Sequence, residues 1–511
     1  MPSLTAGPPL EAEPAVTTNS GAPSLPSIPG LTPSRERWIL LLTTLGSLMF
    51  AIDSTIVVLA LPTMGRELAA PLTVLIWAIL LYILIGAALT TQAGRMGDLW
   101  GRSLVYNGGF LVFTVGSLLC GLAQNAEFLV AARAVQAIGG SLLFANASAI
   151  LTYVFPPPRR GMAFGMLALG WGVGAVLGIL LGGVITTLIG WRYIFFINIP
   201  IGAVAVAIGL RVLPVTPRTP TQFDWAGFVT LTALLGAVSY GAIELAIYGG
   251  TLLNYAYLIL GAALVPVFAY IELHVARPMV EVRDLKNRLL AFSLIAGFFQ
   301  SLGYLSIVFL LTLYLQGVRA LTPLDASFLL IPGYCVGAIA GPLMGRIAYR
   351  TGTRSLATGG ILLMLVGIGS YSLLGVHTWL GWVPIISLVT GMGTGMFFPA
   401  NNLAIMSQAA PDRLGAVSGL RSTLQNMGAL LSFVLAFAVA TAAVPKGIAY
   451  AVFLGTFSGG IPPAFLVGLH DALYVSAGVL AVAAILSWQR GVDVPHSAPS
   501  ARIAPSRSGE K

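Results

Sequence analysis

The sequence predicts an all-α polytopic membrane protein of fourteen transmembrane helices, built as two six-helix bundles with two further helices inserted between them. Three observations predict it. Apolar runs of spanning length recur along nearly the whole chain, Lys and Arg collect on one parity of the connections between them, and the second half repeats stretches of the first in the same order.

The apolar runs come first. Only 8% of the 511 residues are charged and 57% are hydrophobic, with 60 glycines, a balance that water cannot solvate as a globular domain. About 20 apolar residues in a helix cross a hydrocarbon layer roughly 30 Å thick. Such runs lie near 38–60, 73–93, 104–122, 128–154, 161–189, 193–212, 225–247, 254–274, 290–316, 326–349, 355–375, 380–408, 416–443 and 471–488.

Charge sets the expected orientation. The net charge of +9 does not indicate nucleic acid, because the basic residues follow the loops. With the N-terminus inside, the outer connections hold only Arg66, Arg192, Arg319 and Lys446, while Arg133 lies within a helix and Arg421 near a helix end. This is the positive-inside bias, and it places both termini in the cytoplasm with an even number of spans. Residues 1–33 are rich in Pro, Ser, Thr and Gly without an apolar core, so they read as a disordered cytoplasmic tail rather than a cleaved signal. The stretch 446–468 is apolar, but Gly459, Gly460, Pro462 and Pro463 interrupt it. A fifteenth crossing there would put the basic tail of Arg490, Arg502, Arg507 and Lys511 outside, so an apolar outer loop is expected. Cys120 and Cys335 both fall in predicted helices, as small apolar fillers.

The repeat sets the domains. GGSLLFANASAI at 139–150 matches TGMFFPANNLAI at 394–405, so that Gly140, Ala145, Asn146, Ala149 and Ile150 recur as Gly395, Ala400, Asn401, Ala404 and Ile405. Gly161 and Gly165 recur as Gly415 and Gly419 in the next predicted helix. The expected organisation is a tail to residue 33, a six-helix bundle over 34–212, two inserted helices with a cytoplasmic loop over 213–288, a second bundle over 289–490 and a cytoplasmic tail over 491–511. Two parallel repeats with a cavity between them suit alternating access around a midplane site.

Motifs in order along the chain carry a family resemblance. GRMGDLWGR at 94–102 resembles the signature loop of the major facilitator superfamily, RAVQAIGG at 133–140 its fourth-helix motif and GAVLGILLGG at 174–183 its fifth-helix glycine motif. WRYIFFINIPIG at 191–202, YLQ at 314–316 and DSTIVVLALP at 53–62 resemble its fourteen-helix drug:proton antiporter branch. The resemblance covers residues 38–490 and implies the major facilitator fold and proton-coupled efflux. Ile179 stands where the fifth-helix motif usually has proline, Val58 where the first-helix motif usually has asparagine, and Leu99 replaces a common basic residue of the loop.

Individual residues acquire expected roles. Gly94, Gly97 and Gly101 permit a short turn, and Asp98 there can pair with Arg95 or Arg102 as a conformational latch. Arg133 either snorkels to the outer surface or faces the bundle interior, and the resemblance favours proton coupling. Gly174, Gly178, Gly182 and Gly183 allow close helix packing. Asp53 lies beyond the midplane at about 1.5 Å per residue, where a carboxyl binds a proton, holds a cation or is satisfied by Ser54, Thr55 or Arg133. The substrate cavity is expected to draw on Tyr82, Asn146, Gln300, Tyr304, Asn401, Asn402, Gln425 and Asn426, with interhelical hydrogen bonding as the alternative use of each.

The expected function is export of lipophilic compounds, cationic or neutral, across the cytoplasmic membrane in exchange for protons, with a lipid or an endogenous secondary metabolite as the alternative substrate. A channel and a membrane enzyme are the other classes, disfavoured by the lack of a filter-like sequence and of a catalytic cluster. The expected partners are a small lipophilic substrate and membrane lipid, with no nucleic acid. The chain is expected to work as a monomer, with the proton as coupling ion and no other cofactor or metal; the sequence names no partner in a second membrane.

Overall fold

A computed structural model describes residues 32–218, 223–248, 250–276, 278, 287–408, 414–442 and 463–491. Fourteen of its helices are long and apolar enough to cross a membrane: α1 (Pro33–Leu68), α2 (Trp77–Trp100), α3 (Arg102–Gly121), α4 (Ala126–Val154), α5 (Pro157–Leu188), α6 (Tyr193–Val212), α7 (Trp225–Tyr248), α8 (Leu252–His274), α9 (Arg288–Val318), α10 (Pro323–Thr351), α11 (Arg354–Tyr371), α12 (Trp382–Ser407), α13 (Leu414–Ala442) and α14 (Pro463–Gln489).

Local chemistry fixes several ends. Thr32 caps α1 by accepting from the Arg35 amide at 3.3 Å, with Pro33 in the first turn. Gly101 alone separates α2 from α3, and its φ of +101° is a conformation that a side chain would strain. Thr322 and Pro323 start α10 in the same way as α1. Helix α9 is irregular: an α segment to Tyr304, a second over Ile307–Thr312, and a π-helical turn over Leu313–Val318.

Several boundaries differ from the sequence reading: α1 continues past 60 to Leu68 and α2 past 93 to Trp100, so Gly94 and Gly97, expected in the turn, are helical and Gly101 alone makes it. The last helix begins at Pro463, inside the stretch 446–468 expected as an outer loop. Pro463 is a helix-opening residue here rather than an interruption, because the first turn needs no amide from it. Residues 446–462 lie outside the described residues.

The helix pairs obey the duplication. In the first half α2 and α3 both pack on α4, α3 on α6 and α1 on α5; in the second half α10 and α11 pack on α12, α11 on α14 and α9 on α13. The halves meet through α2 with α13 and through α5 with α10, pairs that exchange under the repeat. The start of α1 and the end of α14 lie at one end of the bundle, called here the tail face. Toward it the Thr91 and Thr423 hydroxyls join α2 to α13 at 2.9 Å. Toward the opposite face Gln316 donates to the Leu59 carbonyl at 3.0 Å, and the Leu324 amide donates to Thr187 at 3.2 Å. The inserted α7 packs on α8, α2 and α13, and Gln92 of α2 donates to the Asp224 carbonyl at its start, 3.1 Å away.

Glycine sets how closely these helices approach. A Cβ at Gly116 of α3 would lie 2.5 Å from the Gln136 amide nitrogen and 2.6 Å from its Cα, both on α4. Gly108, two turns earlier on α3, has no such neighbour within 4 Å. Gly116→Leu is therefore expected to destabilise by about 1–3 kcal/mol through overpacking, and Gly108→Ala to leave the melting temperature in detergent unchanged or raised. Equal melting temperatures for wild type and Gly116→Leu would show that α3 and α4 are not in contact there.

Candidate functional site

The carboxylate of Asp53 on α1 is fully buried, and Arg133 of α4 is only 2% exposed. Arg133 Nη1 donates to Asp53 Oδ2 at 2.5 Å and to Gln136 Oε1 at 2.6 Å, and its Nε donates to the Ala78 carbonyl of α2 at 3.0 Å. Gln136 Nε2 donates to Asp53 Oδ1 at 2.8 Å and to Ser117 Oγ of α3 at 2.6 Å. Asn198 of α6 donates to the same hydroxyl at 3.2 Å. The ring of Tyr82 covers the guanidinium at 4.1 Å, a cation–π contact. A buried ion pair holds together only when its remaining polar atoms are also bonded, and here both carboxylate oxygens and both Gln136 side-chain atoms are. Removing one partner would strand the other charge at about 3–5 kcal/mol.

This geometry identifies which of the candidate partners Asp53 takes. Ser54 and Thr55 bond back to the Ala51 carbonyl of their own helix, at 2.8 and 3.2 Å, so Arg133 satisfies Asp53. Arg133 does not snorkel; it points into the bundle. Gln136, Ser117 and Asn198 were not singled out from the sequence. Gln136 alone carried a signal, standing three residues from Arg133 and hence on its face of α4. Cys120 is a buried free thiol, 3.6 Å from Gln136 Oε1.

Beside the pair stands an aromatic wall. Phe50 lies within 5.2 to 5.8 Å, ring centre to ring centre, of Phe144, Trp171 and Tyr82. Trp171 of α5 remains 40% exposed. Helix α5 reaches this position because its glycines lie flat on α1: a Cβ at Gly174 would sit 2.6 Å from the Leu48 carbonyl, at Gly178 2.7 Å from that of Ile52, and at Gly182 2.9 Å from that of Ile56. Gly183 faces α10 instead, 2.6 Å from the Pro323 carbonyl by the same measure.

At the tail face Asp98 and Arg102 pair across the Gly101 turn at 2.8 Å, each about one-third exposed. Arg102 also reaches the Ala149 carbonyl of α4 at 3.5 Å, and Arg95 donates to the Pro278 carbonyl beyond α8 at 2.7 Å. A Cβ at Gly97 would strike the Asn146 amide, whereas Gly94 is open.

The cavity candidates divide. Asn146 is buried, tying α4 to the Ala93 carbonyl of α2 at 3.0 Å; Asn401 is buried between the Ser293 carbonyl and Arg490; Gln300 is buried against Met364. Tyr304 is half-buried against the core of the second bundle. Asn402, Gln425 and Asn426 are half-buried, and Arg421 Nη1 donates to Asn402 Oδ1 at 3.1 Å and to Gln425 Oε1 at 2.7 Å.

Comparison with known proteins places this arrangement. The family model described as Major Facilitator Superfamily matches residues 43–433. The riboflavin transporter RibZ of Clostridioides difficile is 26% identical over 89% of this chain and 97% of its own. The puromycin resistance protein pur8 of Streptomyces alboniger is 28% identical over 93% and 95%. Among solved structures, a bacterial homologue of the human lysosomal transporter Spinster, inward-facing and unoccupied, superposes with a TM-score of 0.62 at 16% identity, over 90% of this chain and 98% of that one. With its family model spanning most of the sequence and fourteen helices fit to cross a membrane, the chain belongs to the major facilitator superfamily, in the fourteen-helix drug-antiporter branch, and is a transporter rather than an enzyme.

Proposed function

We propose that the protein exports a lipophilic small molecule across the cytoplasmic membrane in exchange for protons, by alternating access, with its tail face in the cytoplasm. The observation that carries this reading is the buried Asp53–Arg133 pair and the helices its network joins: α1 through Asp53, α2 through Ala78 and Tyr82, α3 through Ser117, α4 through Arg133 and Gln136, and α6 through Asn198. A proton on Asp53 removes the charge that holds Arg133. The guanidinium then keeps only neutral acceptors, so the balance of contacts among these helices changes with one proton. Such a two-state element is what coupling by differential interaction requires. The Asp98–Arg102 pair acts at the tail face as the latch of one of those states. The names of the drug-resistance relatives support export over import, and the half-buried aromatic wall suits a lipophilic substrate.

Proteoliposomes with a clamped pH gradient, assayed in parallel with puromycin and with the anionic pyrenebutyrate, address the proton site. Asp53→Asn is expected to abolish acceleration by the gradient. It also strands Arg133, at about 3–5 kcal/mol, so Asp53→Asn/Arg133→Gln is the companion variant, expected to recover the melting temperature but not the response to pH. Gradient-driven transport undiminished in either variant would move the proton to another acid, with Glu244 the next to test.

The latch makes a separate prediction. Asp98→Ala is expected to slow turnover about two- to fivefold, the rate equivalent of a partly exposed pair worth up to about 1 kcal/mol, with substrate affinity unchanged. Wild-type turnover would reduce Asp98 to a loop charge.

A further inference from the structure

Arg421 is a cation within a membrane-spanning helix that the proton site does not use. It lies about 10 Å along α13 from Leu414, at 1.5 Å per residue. Its protein partners are all neutral: Asn402, Gln425, and Ser422, whose Oγ accepts from Nη2 at 3.3 Å. Among the described residues no carboxylate pairs with it. Three of its five N–H donors are engaged, which leaves the Nε–H and one Nη2–H without an acceptor among the described residues. Snorkelling toward the tail face does not account for it, because Gln425 lies one turn deeper along α13 and draws the guanidinium inward.

Arg421 also adjoins the interface between the halves. Asn426, next to Gln425, faces Gly86 of α2, 3.8 Å from where a Cβ would be. One turn along α2 from Gly86 is Tyr82, which packs on Phe50 of the aromatic wall. Apolar ring faces thus come from the first half and a guanidinium with free donors from the second. Asp53, the acid available to a cation, is already neutralised by Arg133.

We propose that Arg421, positioned by Asn402 and Gln425, binds an anionic group of the exported molecule, so that the substrate is a lipophilic organic anion such as an aromatic carboxylate or sulfonate. This rests on the transport reading above and deepens it. It replaces the cationic or neutral substrate that the sequence suggested, whose anchor, Asp53, has a partner of its own.

The test is equilibrium binding without any gradient, on full-length protein in phosphatidylcholine nanodiscs with protein-free discs subtracted. The probes are pyrenebutyrate and a pyrenyl trimethylammonium, alike in ring and opposite in charge. Wild type is expected to bind the carboxylate about tenfold or more tightly than the ammonium, the range of hydrogen bonds to a charged group. Arg421→Gln is expected to lose that preference while keeping its melting temperature, and Arg421→Lys to retain part of it. A wild-type preference for the ammonium, or an unchanged carboxylate affinity in Arg421→Gln, would overturn the proposal. So would an equal loss of both probes, which marks a structural role, or displacement of the carboxylate by phosphatidylglycerol added to the discs, which marks a lipid headgroup site. None of these outcomes touches the proton response of Asp53, so failure here and failure of the transport reading are told apart.

Discussion

The buried pair of Asp53 and Arg133 is the constraint on which the first half depends. Two charges withdrawn from water are costly, and their attraction repays that only where further hydrogen bonds support both groups. The matching is spread over five helices, each supplying one or two polar atoms. None of those helices can shift without breaking a bond of the network around the pair. Close glycine packing of α5 on the stretch of α1 that carries Asp53, and of α3 on Gln136 through Gly116, excludes water from the same place. An intact network therefore makes the first half a rigid unit, which is what rocking about a central site demands.

The sequence disclosed this site in proportion to what each residue costs in lipid. Asp53 and Arg133 stood out because a charge in an apolar run is expensive, yet their partnership was one alternative among several, since sequence spacing does not say which helices touch. Gln136, Ser117 and Asn198 carry no such penalty and read as ordinary helix residues; only tertiary packing reveals their use. The fourteen spans were legible for the opposite reason, because membrane thickness fixes their length. Where other chemistry competed the reading slipped: Pro463 looked like a breaker and opens a helix, and nothing local announced the π turn of α9. Of the polar residues expected in the cavity, Asn146, Asn401 and Gln300 went to interhelical ties, a use that residue type alone cannot separate from ligand contact.

Duplication gave the halves the same helix pairs but not the same polar chemistry. The first half encloses a compensated ion pair; the second places neutral amides around a cation that has no counter-charge among the described residues. In the register that aligns Gly161 with Gly415, Arg421 corresponds to Leu167 and Gln425 to Trp171. The apolar wall and the polar patch are thus one helical face, of α5 and of α13, diverged in opposite directions. A bulky molecule with one charged end fits between two such faces better than between two copies of either.

The proposed separation of proton and substrate sites changes what coupling would require. If both competed for Asp53, exchange would follow from mutual exclusion alone. With the substrate at Arg421 the proton must be felt through the protein, and α2 offers the route. Its Tyr82 covers Arg133, while Gly86, one turn along the same helix, abuts Asn426 beside the Arg421 cluster. Charge then adds to the driving force. A monovalent anion leaving as one proton enters moves two charges in the same sense, so an inside-negative potential contributes about 4.6 kcal/mol per 100 mV, twice the single-charge value. A neutral substrate would draw on half of that and a monovalent cation on none. On the proposed reading, Arg421 links the identity of the substrate to the energy available for its export.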